Sequence, residues 1–127
     1  MLEFDEYKVK LNNLRPGLDE LGKALGLEAA ERELDMLESE SASDGFWDNL
    51  EKAQKVQQRI KQLHHKIDGQ KKRLSQWEDL MTLCEMGNEE EDASLVAEVE
   101  EGYTKLEEEM AEAKLATLLT GEYDGNS

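Results

Sequence analysis

Apolar residues recur at alternating three- and four-residue steps along one stretch of this chain: Ala53, Val56, Ile60, Leu63, Ile67, Leu74, Trp77, Met81 and Cys84, with Gln70 as the one polar member. That spacing is the seam of a helix lying against other helices. Phe46-Trp47-Asp48-Asn49 precedes it, where Asp48 or Asn49 can accept the first free backbone N–H groups and Glu51 completes a capping-box pattern with Asp48. Gly87-Asn88 supplies a left-handed stop. A helix of this length measures about 55 Å at about 1.5 Å per residue. A small globule cannot enclose such a rod, so the remaining segments must lie along it.

Those segments carry the same period. Phe4, Tyr7, Leu11, Leu14, Leu18, Leu21 and Leu25 share one helical face, Leu27, Ala30, Leu34 and Leu37 a second, and Val96, Val99, Tyr103, Leu106, Met110, Ala113 and Thr117 a third. The single proline, Pro16, removes an N–H and crowds the preceding turn, which predicts a kink or break between Asn13 and Gly17. Gly26 is a candidate stop, and the Ser, Asp and Gly content of 39–45 favours a loop. At the end of that loop Phe46 and Trp47 are expected to staple the turn onto the bundle. The expected fold is all-α, with three to four helices at about 3–25, 27–40, 49–86 and 89–118. The last two form a long antiparallel coiled-coil-like hairpin, packed by the shorter N-terminal helices. At 127 residues this is one domain, expected over 1–119, with 120–127 reading as the start of a linker to an absent next domain.

The charge is segregated. The chain carries a formal net charge of −16, which repels nucleic-acid backbone and anionic membrane. Yet between Lys52 and Arg73 eight bases (Lys52, Lys55, Arg59, Lys61, Lys66, Lys71, Lys72 and Arg73) face Asp68 alone. From Glu89 to Glu112 the acids are opposed only by Lys105. A hairpin turned at Gly87-Asn88 lays Arg59–Arg73 beside Gly102–Ala116 and brings Lys61 and Lys66 near Glu107–Glu112. Such exposed pairs set pairing direction more than stability. No autonomous nucleic-acid binding is expected, although Arg59, Lys66, Lys71, Lys72 and Arg73 are the candidates for RNA contact. An acidic coiled-coil adaptor or chaperone-like module fits the same charge and hairpin.

No motif for catalysis stands out. His64 and His65 are adjacent, hence about 100° apart around a helix, and cannot chelate one metal from one face. The glutamate runs lack the alternating oxygen and glycine spacing of a calcium loop, and there is no phosphate-binding glycine loop and no nucleophile with an evident base. No catalytic residue, metal or cofactor is assigned. Cys84, the only cysteine, falls on the seam as a small buried thiol. The start Met1-Leu2-Glu3-Phe4-Asp5 has no secretory signal character and no apolar run approaches membrane-spanning length, so a cytoplasmic protein without a membrane partner is expected.

Asp44-Gly45-Phe46-Trp47-Asp48-Asn49, followed by Glu51-Lys52-Ala53-Gln54-Lys55, and the ending Leu118-Leu119-Thr120-Gly121-Glu122-Tyr123-Asp124 together resemble the N-terminal helical domain of bacterial peptide chain release factor two. The resemblance covers essentially the whole chain but only the first part of a full-length factor. It implies a protein that enters the ribosomal A site at UAA or UGA codons and promotes hydrolysis of the peptidyl-tRNA ester. The Ser-Pro-Phe codon-reading tripeptide and the Gly-Gly-Gln motif of that family lie downstream. Neither occurs here: Pro16 sits in Arg15-Pro16-Gly17, and the only Gly-Gln step is Gly69-Gln70. By this resemblance the domain is structural and non-enzymatic. It packs on the rest of the factor, contacts the ribosome near the stalk base and lies close to the recycling GTPase.

Overall fold

The computed structural model describes residues 1–120; Thr120, the first residue of the anticipated 120–127 linker, still belongs to the last helix, and the rest of that linker lies outside the described residues. Four α-helices occur among the described residues: α1 (Leu2–Ala24), α2 (Leu27–Ser41), α3 (Leu50–Glu90) and α4 (Val96–Thr120). Single 3-10 turns at Phe46–Asp48 and Ala93–Leu95 precede α3 and α4. The architecture is all-α, as the periodicity requires. Contacts divide the chain into two compact units, one built from Met1–Leu25 with the chain from Lys71 onward, the other from Gly26–Gln70.

The first unit packs α1, the second half of α3 and α4 around Phe4, Leu11, Leu80, Cys84, Val99 and Leu106, with Tyr7, Trp77, Met81, Tyr103 and Met110 closing over them. Helix α1 runs antiparallel to α3: Asn88 donates its amide to Asp5 at 2.9 Å, Lys8 lies 4.0 Å from Glu85, and the Trp77 indole donates to the Leu11 carbonyl at 2.6 Å. Tyr7 meets Tyr103 edge to face, with ring centroids 5.6 Å apart. Burial and the neighbouring glutamates Glu100 and Glu107 hold the Tyr7 hydroxyl above its ordinary pKa. Burial likewise raises the Cys84 thiol, which makes it a packing residue and a poor nucleophile.

Pro16 does not break α1, which is helical from Leu2 to Ala24. Both sides of the proline are anchored in the interior, at Leu11 and at Leu18. Tertiary burial therefore outweighs the missing backbone bond. Gly26 stops the helix, with φ at 65°.

The expected stop at Gly87-Asn88 is not used. Helix α3 continues to Glu90, and the left-handed residue is Glu91, at φ 52°. The Asp92 N–H then donates back to the Gly87 carbonyl at 3.1 Å, closing a Schellman-type turn. Asp92 caps the following turn by accepting from the Ser94 N–H at 3.0 Å. Gly87 is needed for close approach instead. A Cβ built on it would sit 2.3 Å from Cζ of the fully buried Phe4 ring.

Moving the turn moves the register. Gly102, expected beside Arg73, lies against Leu80, where an added Cβ would come 2.6 Å from Cδ2. Arg73 in turn faces Glu109.

In the second unit α2 and the first half of α3 form an antiparallel pair around Ala30, Leu34, Leu63 and Ile67, flanked by Leu27, Leu37 and Ile60. Gln70, the polar member of the seam, is buried.

Candidate functional site

The sequence singles out two features, the basic run of α3 and the loop that leads into it. Lys52, Arg59, Lys66 and Arg73 stand seven residues apart in the sequence, and on a helix of 3.6 residues per turn the first three, in the second unit, form a stripe beside the apolar seam. The structure turns this stripe toward carboxylates. Arg59 forks onto Glu33, Nε to Oε2 at 2.8 Å and NH2 to Oε1 at 2.9 Å. Lys52 Nζ lies 3.7 Å from Glu40. One heptad forward on α3 thus pairs with one heptad back on α2, the signature of an antiparallel ladder.

Glu33 records this electrostatically. The hydrogen bond from Arg59 holds its carboxyl below the usual value, with the charges of Arg59 and Lys66 acting the same way against partial burial. Arg73, in the first unit, is half buried, and burial lowers its pKa while Glu109 works in the opposite direction. Within the second unit, Arg59 and Lys66 both act on Glu33. The α2 acids serve the front of the stripe, and Glu109 faces Arg73. The clue in the sequence was the seven-residue spacing of the four cations, matched by Glu33 and Glu40.

Of the five candidate contact residues, Arg59, Lys66 and Arg73 are partly buried, whereas Lys71 and Lys72 are exposed. His64 lies between Glu38 and Asp68, with ring nitrogens 3.9 and 3.5 Å from their carboxylates.

The loop is tightly ordered. Ser41 Oγ donates to the Glu38 carbonyl at 2.9 Å, the Phe46 N–H to Ser43 O at 3.3 Å, and the Asp48 N–H to Gly45 O at 3.1 Å, with Gly45 at φ 80°. Asn49 caps α3 by accepting from the Lys52 N–H at 3.1 Å, so the capping role belongs to Asn49 and the Asp48–Glu51 box is not the device used. Nor does the Phe46-Trp47 pair staple the turn into a core. Trp47 is 59% exposed and stands edge to face with the partly buried Phe46, ring centroids 5.1 Å apart. The adjoining Leu50 is equally exposed, and Asp44 and Asp48 flank the pair from solvent. The turn bonds hold the loop without the indole, which leaves its ring free to face outward.

No cluster of three or more His, Cys, Asp or Glu side chains able to hold a metal ion occurs among the described residues, and none of their helices is long and apolar enough to cross a membrane.

Comparison with known proteins gives the chain its family. The PCRF domain family matches residues 30–127. Peptide chain release factor 2 of Clostridium perfringens (strain SM101 / Type A) is 35% identical over 130 residues, covering 100% of this chain and 35% of that protein. The Lactiplantibacillus plantarum protein of the same name is 32% identical over 99% of this chain and 33% of its own length. That of Kineococcus radiotolerans is 31% identical over 94% and 32%. The chain spans about a third of the length of these curated relatives. No solved structure matches it. With the family match extending over most of its length, the chain belongs to the PCRF domain family and is similar throughout to peptide chain release factor 2.

Proposed function

We propose that this chain is the N-terminal helical domain, residues 1–119, of a cytoplasmic peptide chain release factor acting in translation termination at UAA and UGA codons. Residues 120–127 would lead into the next domain. The observation that carries the reading is similarity to peptide chain release factor 2 over the full 127 residues. The domain's part is to brace and dock: its long helices carry docking surfaces, while codon reading and ester hydrolysis fall to Ser-Pro-Phe and Gly-Gly-Gln motifs that this sequence does not contain.

Its partners on this reading are the remaining domains of the same factor and the ribosome near the stalk base, with the recycling GTPase close by. Ribosomal contact through the cations of α3 falls first to the exposed Lys71 and Lys72, since Arg59 and Arg73 already face carboxylates. Reading the gene beyond Ser127 tests the assignment. A downstream Gly-Gly-Gln motif is expected, and an open reading frame that ends without one overturns it. The isolated chain should bind ribosomes and release no peptide from them.

A further inference from the structure

We infer that the Phe46-Trp47-Leu50 projection, edged by Asp44 and Asp48, is a docking knob for a protein surface that presents an apolar pocket rimmed by lysine or arginine. This rests on the reading of the chain as a ribosome-docking domain, and it assigns the contact to a basic protein component and not to RNA.

Trp47 and Leu50 each leave 59% of their surface in water in a chain where aromatic residues make up only 6%. Large aromatic side chains held rigidly at a surface are the residues that dominate binding energy when a partner covers them. Trp47 is held in this way. The Ser43–Phe46 and Gly45–Asp48 backbone bonds and the Asn49 cap fix its backbone, and the Phe46 ring stands against its side. With the main chain already fixed, less ordering entropy is lost on binding than from an open loop.

The charge around the knob selects the occupant. Lys52 lies beside Glu40, and Lys55 lies 3.6 Å from Glu51, so the nearest cations already have carboxylate partners. Asp44 and Asp48, immediately beside the rings, are exposed. A phosphate backbone approaching Trp47 would meet these two carboxylates on a chain of net charge −16. A second copy of the chain would bring the same two acids against them. A lysine- or arginine-rimmed apolar pocket satisfies the indole and the acids together.

The test uses the 127-residue chain, its Trp47→Ala and Asp44→Lys variants, intact ribosomes, and protein-free ribosomal RNA as separate probes. Circular dichroism should be unchanged in both variants, because the two side chains are exposed. The native chain should co-sediment with ribosomes. Trp47→Ala should bind about thirtyfold more weakly, the loss typical of an interface hot spot, and Asp44→Lys should bind more weakly with a changed salt dependence. Equal ribosome binding by the native chain and Trp47→Ala overturns the knob and leaves the docking reading standing. Failure of the native chain to bind overturns both. Trp47-dependent binding to protein-free RNA, or tighter ribosome binding by Asp44→Lys, also overturns the assignment to a basic protein.

Discussion

The indole N–H of Trp77 donates to the main-chain carbonyl of Leu11 at 2.6 Å, while the Arg15 guanidinium lies 4.7 Å above the same ring. One side chain on α3 therefore grips α1 in the turn just before Pro16. Replacing Trp77 with Phe keeps most of the apolar contact and removes the donor, and should lower unfolding stability by about 1 kcal/mol. Trp77→Ala should cost about 3–5 kcal/mol. Urea titration followed by circular dichroism measures both, and a Phe variant as stable as the native chain would show that the bond contributes nothing.

Gly87 and Phe4 form a second dependency. An alanine at 87 should gain helix propensity worth about 1 kcal/mol, yet its Cβ would meet three atoms of the Phe4 ring at 2.3–2.7 Å. The ring is fully buried and cannot swing away. Gly87→Ala should therefore destabilise by about 1–3 kcal/mol net. Combining it with Phe4→Leu should cost less than the sum of the two single changes, since the pair is in contact.

The turn at Glu91 predicts the opposite outcome. Its φ of 52° is a conformation that glycine adopts without penalty. Glu91→Gly should raise the thermal midpoint, by about 1 kcal/mol in stability, although glycine substitution elsewhere in these helices lowers it. A lower midpoint would show that the Glu91 side chain has a role in the turn beyond its backbone shape.

The Glu33–Arg59 pair sets a pH dependence for the α2–α3 unit. Because the folded state holds the Glu33 pKa below its unfolded value, the unfolded chain takes up a proton first on acidification. The contribution is fully present above the ordinary value of about 4.3 and is lost as pH falls through the lowered folded value. Glu33→Gln should remove that portion of the acid sensitivity. Since the pair is partly exposed, high salt should reduce its effect in the native chain. Thermal scans between pH 3 and 7 at low and high salt measure both effects.

The heptad positions were legible in the sequence because burial follows period: Ala53, Leu63, Ile67, Gln70 and Cys84 are buried on α3, and Val99 and Leu106 on α4. Gly26 was legible for the same reason, as a left-handed stop between two periodic runs. The second turn was not. Gly87-Asn88 reads locally as a stop, but Phe4, distant in sequence, requires a residue without a Cβ at 87, and the turn passes to Glu91. Trp47 misled for a related reason. An aromatic pair at a helix start usually packs inward, whereas here the loop is already closed by its own main-chain bonds. The ion pairs depended on register, which the apolar period leaves open.

That openness follows from the hairpin itself. Gly102 lies against Leu80 and not beside Arg73, a displacement of seven residues, which is one full repeat of the seam. Two helices patterned in sevens present the same greasy edge after such a slide, so their oily residues cannot tell one alignment from the next. The discrimination rests with features that occur once: the bare backbone of Gly102 under Leu80, that of Gly87 under Phe4, and the Arg73–Glu109 charge pair. These three places act as the index marks of the α3–α4 hairpin, and variants that blur them should yield molecules aligned one notch out, with helical content intact and the surfaces on α3 displaced by about 10 Å along the rod.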